Sequence, residues 1–136
     1  MCNNVLRQPI VLREREIPEE GRGWKVFGVG RDSGNLITLI SGHNYWGENR
    51  IIIPNVGEYS SYLKWYPENE KAGFCFFRNE QIAINASKML TESYSENVVK
   101  EIHYKGGLQE RWEENMFTGI VIRIALCKQF KINKER

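Results

Sequence analysis

Two titratable side chains lie two residues apart in a segment with the composition of a β-strand. Glu101 and His103 fall within residues 98–104, and side chains at positions i and i+2 of a strand project from the same face. The pair could therefore act as general acid and base in a small transferase or hydrolase. The alternative is a glutamate and a histidine on the wet face of a sheet, where ionisable side chains normally lie. The sequence contains no nucleophile elbow, phosphate-binding loop or HExxH motif, which favours a protein that is not an enzyme.

Residues that could hold a metal ion or a cofactor are sparse and far apart. The two histidines, His43 and His103, are separated by many residues and have no short-range ligand partner. Gly28 and Gly30 form a G-x-G pattern, but a second strand follows it in place of the helix that a dinucleotide site requires. We therefore predict neither a metal site nor a bound cofactor.

Aromatic side chains occur in polar, turn-rich stretches at residues 43–46, 62–66 and 111–113. Large rings with polar tips, with arginine beside them, are enriched at binding hot spots. The alternative is that these rings cover a small sheet from its loops, because each ring buries a large area. The candidate binding residues are His43, Tyr45, Trp46, Arg50, Tyr62, Trp65, Tyr66, His103, Arg111, Trp112 and Arg123.

Two hypotheses of function use these aromatic rings. The leading one is a non-enzymatic binding protein that acts on a protein partner through aromatic loops, with anchors at Trp46, Trp65, Tyr66 and Trp112. The second is a protein that binds and sequesters a nucleotide or a nucleotide-derived signal, with a ring stacked on the base and an arginine on the phosphate. The candidates for that contact with phosphate are Arg50, Arg111 and Arg123.

Charge and size indicate one domain that does not bind nucleic acid through general electrostatics. The chain has 136 residues, of which 41% are hydrophobic and 26% charged, as expected for a single globular domain over 1–136. Its 19 basic and 17 acidic side chains give a net charge of +2, a small excess for nucleic-acid binding. The excess is concentrated in a basic C-terminal tail at about 128–136, either a solvated terminus or a contact for nucleic acid.

The cysteines and the N-terminus favour a cytoplasmic protein. Three widely spaced cysteines, an odd number, do not form the even, dense set of a small secreted domain. The first residues lack the basic and apolar regions of a signal peptide, and no apolar run approaches the roughly 20 residues that span a bilayer. We expect no membrane partner, and a homo-oligomer is left open.

Periodicity in the sequence predicts several strands and one helix. The turn-rich residues 30–35 join two short strands into a hairpin, and the charged residues 13–16 are expected to be a solvated connection. Gly106 and Gly107 are expected to end a strand. The predicted strands are 5–12, 24–29, 36–40, 50–53, 74–77, 98–104 and 116–127.

The helix is predicted at about 79–92, with Asn79 as its N-cap and an apolar stripe that rests on the sheet. In the strand 116–127, the face that carries Ile120, Ile122, Ile124 and Leu126 is expected to be core, and the face that carries Arg123 is expected to be partly open. Together these elements predict an α+β fold: a mostly antiparallel sheet of about six to eight strands with one main amphipathic helix packed on it.

The half of the chain from Gly73 onward combines a Gly-Phe-Cys-Phe-Phe strand, a capped helix with alanines and paired strands, the first of them beginning at Val98. In this it resembles small uncharacterised proteins of phages and their bacterial hosts. The resemblance implies no activity and no catalytic residue. It implies a host-takeover or counter-defence protein that works by binding.

Overall fold

The computed structural model describes residues 10–30, 33–38, 53–61, 73–89, 96–114 and 119–134. Within them the elements are β1 (Ile10–Glu16), β2 (Glu20–Val29), β3 (Leu36–Thr38), β4 (Tyr59–Ser61), β5 (Phe74–Phe76), α1 (Glu80–Met89), β6 (Asn97–Glu114) and β7 (Val121–Ile132). The pairs between these strands are antiparallel. The prediction of an α+β fold built on a mostly antiparallel sheet is confirmed.

Strands β6 and β7 form the centre of the sheet. They are 18 and 12 residues long and pair from Ile102 opposite Ile132 to Glu114 opposite Val121. On its other edge β6 pairs first with β2 and then with β1, while β7 pairs on its other edge with β5 and β4. The second half of β6 therefore lies between β1 and β7.

Gly106 and Gly107 lie inside β6, so the prediction that the strand ends at them is wrong. Gly106 has a φ of 65°, and the register with β7 shifts between Gly107 and Gln109, which is a β-bulge. The missing side chain of Gly107 leaves room for the carbonyl group of Pro18, where the chain passes from β1 to β2. The two glycines thus allow one continuous strand to exchange one neighbour for another.

A pair of hydrogen bonds closes four strands into a ring. Trp24 N–H donates to the carbonyl of Phe77 at 2.8 Å, and Phe77 N–H donates to that of Trp24 at 2.7 Å. Pairing therefore runs from β2 to β6, β7 and β5 and back to β2. One buried cluster draws all its members from these strands: Phe27, Phe74, Phe76, Ile102, Tyr104, Ala125, Cys127, Phe130 and Ile132.

Lys25 of β2 is a charged member of this interior, with 2% of its surface exposed. Its Nζ donates to the carbonyl of Cys75 at 2.7 Å and lies 5.6–5.8 Å from the ring centroids of Phe27, Phe74 and Phe130. A hydrogen bond and three cation–π contacts thus compensate the buried ammonium group and tie β2 to β5.

Helix α1 begins at the predicted position. Ile82 N–H donates to Asn79 Oδ1 at 3.1 Å, so Asn79 is the N-cap. The buried side chains of Ala83 and Ala86 form a second cluster with Val26, Phe77 and Ile124. Residues 90–92 of the predicted helix lie outside the described residues. In the described part of the chain, no helix is long and apolar enough to cross a membrane.

Two charged segments that were expected outside the sheet belong to it. Residues 13–16, predicted to be a solvated connection, lie in β1 and pair with β6. Residues 128–132, predicted to begin a basic tail, complete β7. Backbone hydrogen bonds with a neighbouring strand decide these pairings, and charged side chains can still reach water from the surface of a sheet.

The prediction of one core face on β7 is wrong in two respects. Ile120, expected in the core, precedes the strand and is 45% exposed. Ala125 and Cys127, on the face expected to be partly open, are fully buried in the aromatic cluster, while Ile124 on the other face packs in the cluster of α1. In this part of the strand both faces are covered, because the ring of strands encloses one and the helix covers the other. Nearer the beginning of β7, where Val121 and Arg123 lie, the face that carries Arg123 is partly open, as predicted.

The predicted hairpin is confirmed, since β2 and β3 pair with Val29 opposite Leu36. The strand predicted at 50–53 falls mostly outside the described residues, as does the beginning of the one predicted at 5–12.

Candidate functional site

Glu101 and His103, the pair predicted for acid–base chemistry, contact different neighbours. Tyr59 Oη and His103 Nδ1 are 2.7 Å apart. Glu101 Oε1 accepts from Asn133 Nδ2 at 3.5 Å and lies 3.5 Å from Arg22 Nε. These contacts join β6 to β4, to β2 and to the end of β7, so both side chains act in strand association.

The second half of β6 places three rows of side chains on one face of the sheet, because residues opposite each other in antiparallel strands share a face. From β1 through β6 to β7, the rows are Arg15, Glu110 and Ala125; then Arg13, Trp112 and Arg123; then Ile10, Glu114 and Val121. Arg78, from the bend after β5, also reaches the first row. We call the following six residues the arginine–tryptophan face: Arg13, Arg15, Arg78, Glu110, Trp112 and Arg123.

Trp112 is the half-buried aromatic centre of this face. The guanidinium carbons of Arg13, Arg15 and Arg123 lie 4.8, 5.1 and 5.8 Å from the centroid of its ring. A cation–π contact at an exposed site contributes about 0.5–1 kcal/mol. Trp112 and Arg123 are both predicted binding residues, 11 positions apart in the chain, and the pairing of β6 with β7 brings them into one row.

Glu110 is a buried carboxylate surrounded by three arginines. Arg15 Nε donates to Glu110 Oε1 at 2.8 Å, and Arg15 Nη2 lies 2.6 Å from the same oxygen. Arg123 Nε and Arg78 Nη1 stand farther away, at 3.5 and 3.8 Å. The side chain of Glu110 is 1% exposed, whereas those of Arg15, Arg78 and Arg123 remain 46%, 31% and 31% exposed. The guanidinium groups therefore compensate the buried charge and still meet the solvent.

The sequence of β1 places its two arginines on this face of the sheet. The order Arg-Glu-Arg-Glu over residues 13–16 alternates charge with the two-residue period of a strand, so the two arginines share one face and the two glutamates the other. The register of β1 with β6 shifts between Val11, opposite Glu113, and Arg13, opposite Trp112, so β1 has one extra residue at this point.

Excess positive charge defines what the arginine–tryptophan face can do. Its four arginines and the carboxylate of Glu110 sum to +3, and Glu114 in the outer row reduces the local sum to +2. The face contains no cysteine, serine or threonine nucleophile and no metal-ligand set. Among the described residues, no group of three or more His, Cys, Asp or Glu could hold a metal ion.

Arg111, a predicted binding residue, points to the opposite side of β6 from Trp112. Its Nε lies 3.8 Å from Glu14 Oε2, and its side chain is 7% exposed. Burial lowers the pKa of the Arg111 guanidinium, and the carboxylates of Glu113 and Glu14 oppose this effect. Because the group is enclosed and faces carboxylates of its own chain, it belongs to the internal charge network and not to the exposed face.

Apolar side chains border the arginine–tryptophan face on one side. Ile10 and Val121 in the outer row are 49% exposed each, and Leu12 and Ile120 beside them are 53% and 45% exposed. A tryptophan and arginines next to exposed aliphatic groups are the residue types that protein interfaces use.

The remaining predicted binding residues, apart from His103, lie outside the described residues: His43, Tyr45, Trp46, Arg50, Tyr62, Trp65 and Tyr66.

Four residues of the face were not among the predicted binding residues: Arg13, Arg15, Arg78 and Glu110. The two-residue charge alternation of β1 is a signal that could have identified Arg13 and Arg15 as neighbours on a strand. Glu110 could have been found as the residue two positions before Trp112, on the same face. Arg78 carries no such signal, because its position depends on the pairing of β5 with β7.

Comparison with protein-family models, with curated proteins and with solved structures finds no match to this chain.

Proposed function

We propose that this chain is a non-enzymatic binding protein that recognises an acidic protein partner through the arginine–tryptophan face. The observation that carries the proposal is the middle row, in which Trp112 lies between Arg13 and Arg123 at cation–π distances. Tryptophan and arginine are the residues that most often dominate the binding energy of protein interfaces.

Charge complementarity selects an acidic partner. The face carries a net charge of +3, and its one carboxylate, Glu110, is buried below the arginines. Such a surface attracts a negatively charged partner over the Debye length and repels a basic one. The exposed Ile10 and Val121 offer apolar contacts at the border.

The resemblance to phage and host proteins extends this proposal to a host-takeover or counter-defence protein, whose partner is a host protein with an acidic surface. The genomic context checks this extension. A phage or prophage neighbourhood supports it, and a position within a conserved metabolic operon counts against it.

Site-specific photo-crosslinking in the native cell tests the binding face. A photoreactive phenylalanine analogue replaces Val121, at the border of the face, or Gln81, which is exposed on α1 and serves as the control position. We expect a discrete protein adduct from position 121 that is absent from position 81.

Charge reversal then tests the role of the arginines in that adduct. We expect Arg13→Glu to abolish the adduct at position 121 and Arg22→Glu, a reversal beside Trp24 elsewhere in the sheet, to leave it unchanged. Equal adducts at both positions, or an adduct that Arg13→Glu does not reduce, would contradict the proposal.

A second candidate function is the binding of a nucleotide or a nucleotide-derived signal. It is favoured by Arg123 beside the ring of Trp112, which combines a stacking surface with a phosphate ligand. Mass spectrometry of small molecules released from the purified protein tests it. A preparation free of nucleotides that also shows no thermal shift with added nucleotides excludes this candidate.

A further inference from the structure

We propose that Arg15, Arg78 and Arg123 together form a binding site for a phosphoryl group, placed over the carboxylate of Glu110. The inference rests on the proposed binding function and specifies the chemistry of the group that the face recognises. The three arginines come from β1, from the bend after β5 and from β7, and they converge on one carboxylate.

The hydrogen-bond capacity of the site exceeds what Glu110 uses. Each guanidinium carries five N–H donors, whereas a carboxylate offers about four lone-pair positions. Arg15 takes up the closest of these positions at 2.6–2.8 Å. Arg123 and Arg78, at 3.5 and 3.8 Å, are beyond the 2.7–2.9 Å of a charge-assisted hydrogen bond. Within the part of the chain that the structure describes, these two guanidinium groups thus make only long contacts with Glu110, and their donors can bind a stronger acceptor.

The charge of the site matches a phosphoryl group better than a carboxylate. Three guanidinium groups and one carboxylate leave a charge of +2. A phosphate monoester carries about −1.5 to −2 at pH 7, whereas a carboxylate carries −1. The roughly one-third exposure of Arg78 and Arg123 leaves a path from the solvent to their donors.

Glu110 has two opposing effects on such a ligand. It holds the three guanidinium groups together before the ligand arrives, which reduces the ordering cost of binding. Its negative charge also repels the phosphoryl group. Removing that charge is therefore expected to strengthen phosphate binding, an effect that a purely structural ion-pair cluster does not produce.

Calorimetric titration of the full chain with inorganic phosphate tests the site. We expect the wild type to bind phosphate, and we expect Arg78→Gln and Arg123→Gln each to weaken binding about tenfold. Arg22→Gln, which alters an arginine beside Trp24 and Glu101, is the matched control and is expected to leave binding unchanged. Absence of binding to the wild type, or an equal loss in Arg22→Gln, overturns the proposal.

Two further variants separate a phosphate site from a structural cluster. Glu110→Gln is expected to strengthen phosphate binding about fivefold, because one negative charge near the ligand is removed. Arg123→Lys keeps the charge but loses the planar fork, so it is expected to weaken binding less than Arg123→Gln does. Should Glu110→Gln not fold, the graded losses in the two Arg123 variants decide the question. Weaker binding by folded Glu110→Gln, or equal affinity of the two Arg123 variants, overturns the proposal.

The source of the phosphoryl group is resolved by matched probes. A phosphoserine peptide is compared with its unmodified form, and AMP is compared with adenosine. Tighter binding of the phosphopeptide than of inorganic phosphate identifies a phosphorylated partner, and tighter binding of AMP identifies a nucleotide. Equal binding of phosphorylated and unphosphorylated probes contradicts the proposed phosphate site. It does not affect the crosslinking test at Val121, so the proposed function is judged separately.

Discussion

Each half of β6 carries a glutamate that lies in a group with arginine and tryptophan side chains, but the surroundings of the two glutamates differ. Beside the first half, Arg22 of β2 lies 5.1 Å from the ring centroid of Trp24 and 3.5 Å from Glu101 of β6, and the side chains of this ion pair are 65% and 42% exposed. In the second half, arginines again surround a tryptophan and a glutamate, but Glu110 is 1% exposed. The two groups contain the same kinds of side chain, and they differ in the burial of the glutamate carboxylate.

This difference sets how much each group contributes to folding. An exposed ion pair is hydrated and screened and contributes about 0–1 kcal/mol. A buried carboxylate loses its hydration and must be compensated by several close donors. Three arginines around Glu110 satisfy that requirement, whereas one arginine is enough beside Glu101. The concentration of arginines in the second group is thus a consequence of the burial of its carboxylate.

The largest expected effect comes from the glycines that separate the two halves. In Gly107→Ala the added Cβ would overlap the carbonyl of Pro18, which is backbone and cannot turn away. We expect a loss of about 3 kcal/mol in the free energy of unfolding, measured by urea denaturation. Gly119→Ala is the control: its φ is 71°, but no atom of the described residues lies within 4 Å of the added Cβ, so about 1 kcal/mol is expected. Equal losses in the two variants would show that Gly107 is not a packing constraint.

The next effect compares the two glutamates directly. Glu110→Gln removes a buried charge and the charge-assisted hydrogen bond from Arg15, so the free energy of unfolding is expected to fall by about 2 kcal/mol. Glu101→Gln at the exposed group is expected to change it by less than about 0.5 kcal/mol. Both variants are compared by urea denaturation at pH 7. An equal loss of unfolding free energy in Glu101→Gln and Glu110→Gln would mean that burial does not determine how much each glutamate contributes to stability.

Sequence periodicity predicts the local elements of this fold well. The N-cap at Asn79, the hairpin of β2 and β3, and the Phe74–Phe76 strand depend on residues close together in the chain, and the structure contains all three. The predicted ends of strands are wrong where pairing with a distant segment of the chain determines how far a strand continues. Gly106 and Gly107 have the composition of a strand end, yet β6 continues through them because β1 is available as a new neighbour.

In the candidate site too, the sequence predicts local features but not the contacts that depend on long-range strand pairing. The sequence draws attention to Trp112 and Arg123 by residue type, and register alone places them side by side. The sequence predicts that the arginines of β1 lie in a solvated connection, because a charged run has no apolar face to indicate a strand. Arg78 and Glu110 meet only because β5 and β6 both flank β7. A site assembled from four chain segments cannot be derived from local pattern.

The smallest expected effect concerns Tyr104, a fully buried residue of β6 in the aromatic cluster. Burial raises the pKa of its hydroxyl, the nearby Arg78 lowers it, and Cys127 and Glu110 raise it further. The unfolded chain therefore releases this proton at a lower pH than the folded chain does. Stability from this group is complete below about pH 10 and is lost as the pH rises toward the folded-state pKa.

Tyr104→Phe removes that titration. We expect the free energy of unfolding of the wild type to fall more steeply than that of Tyr104→Phe above about pH 10, by at most about 1.4 kcal/mol per pH unit for one proton. Urea denaturation from pH 8 to pH 11 measures the two slopes, each referred to its own value at pH 8. Arg78→Gln is expected to raise the pKa of Tyr104 and Glu110→Gln to lower it, since the two neighbours act in opposite directions. Parallel curves for the wild type and Tyr104→Phe would show that burial does not raise the pKa of Tyr104, and an unchanged pKa in both Arg78→Gln and Glu110→Gln would show that these two charges do not act on it.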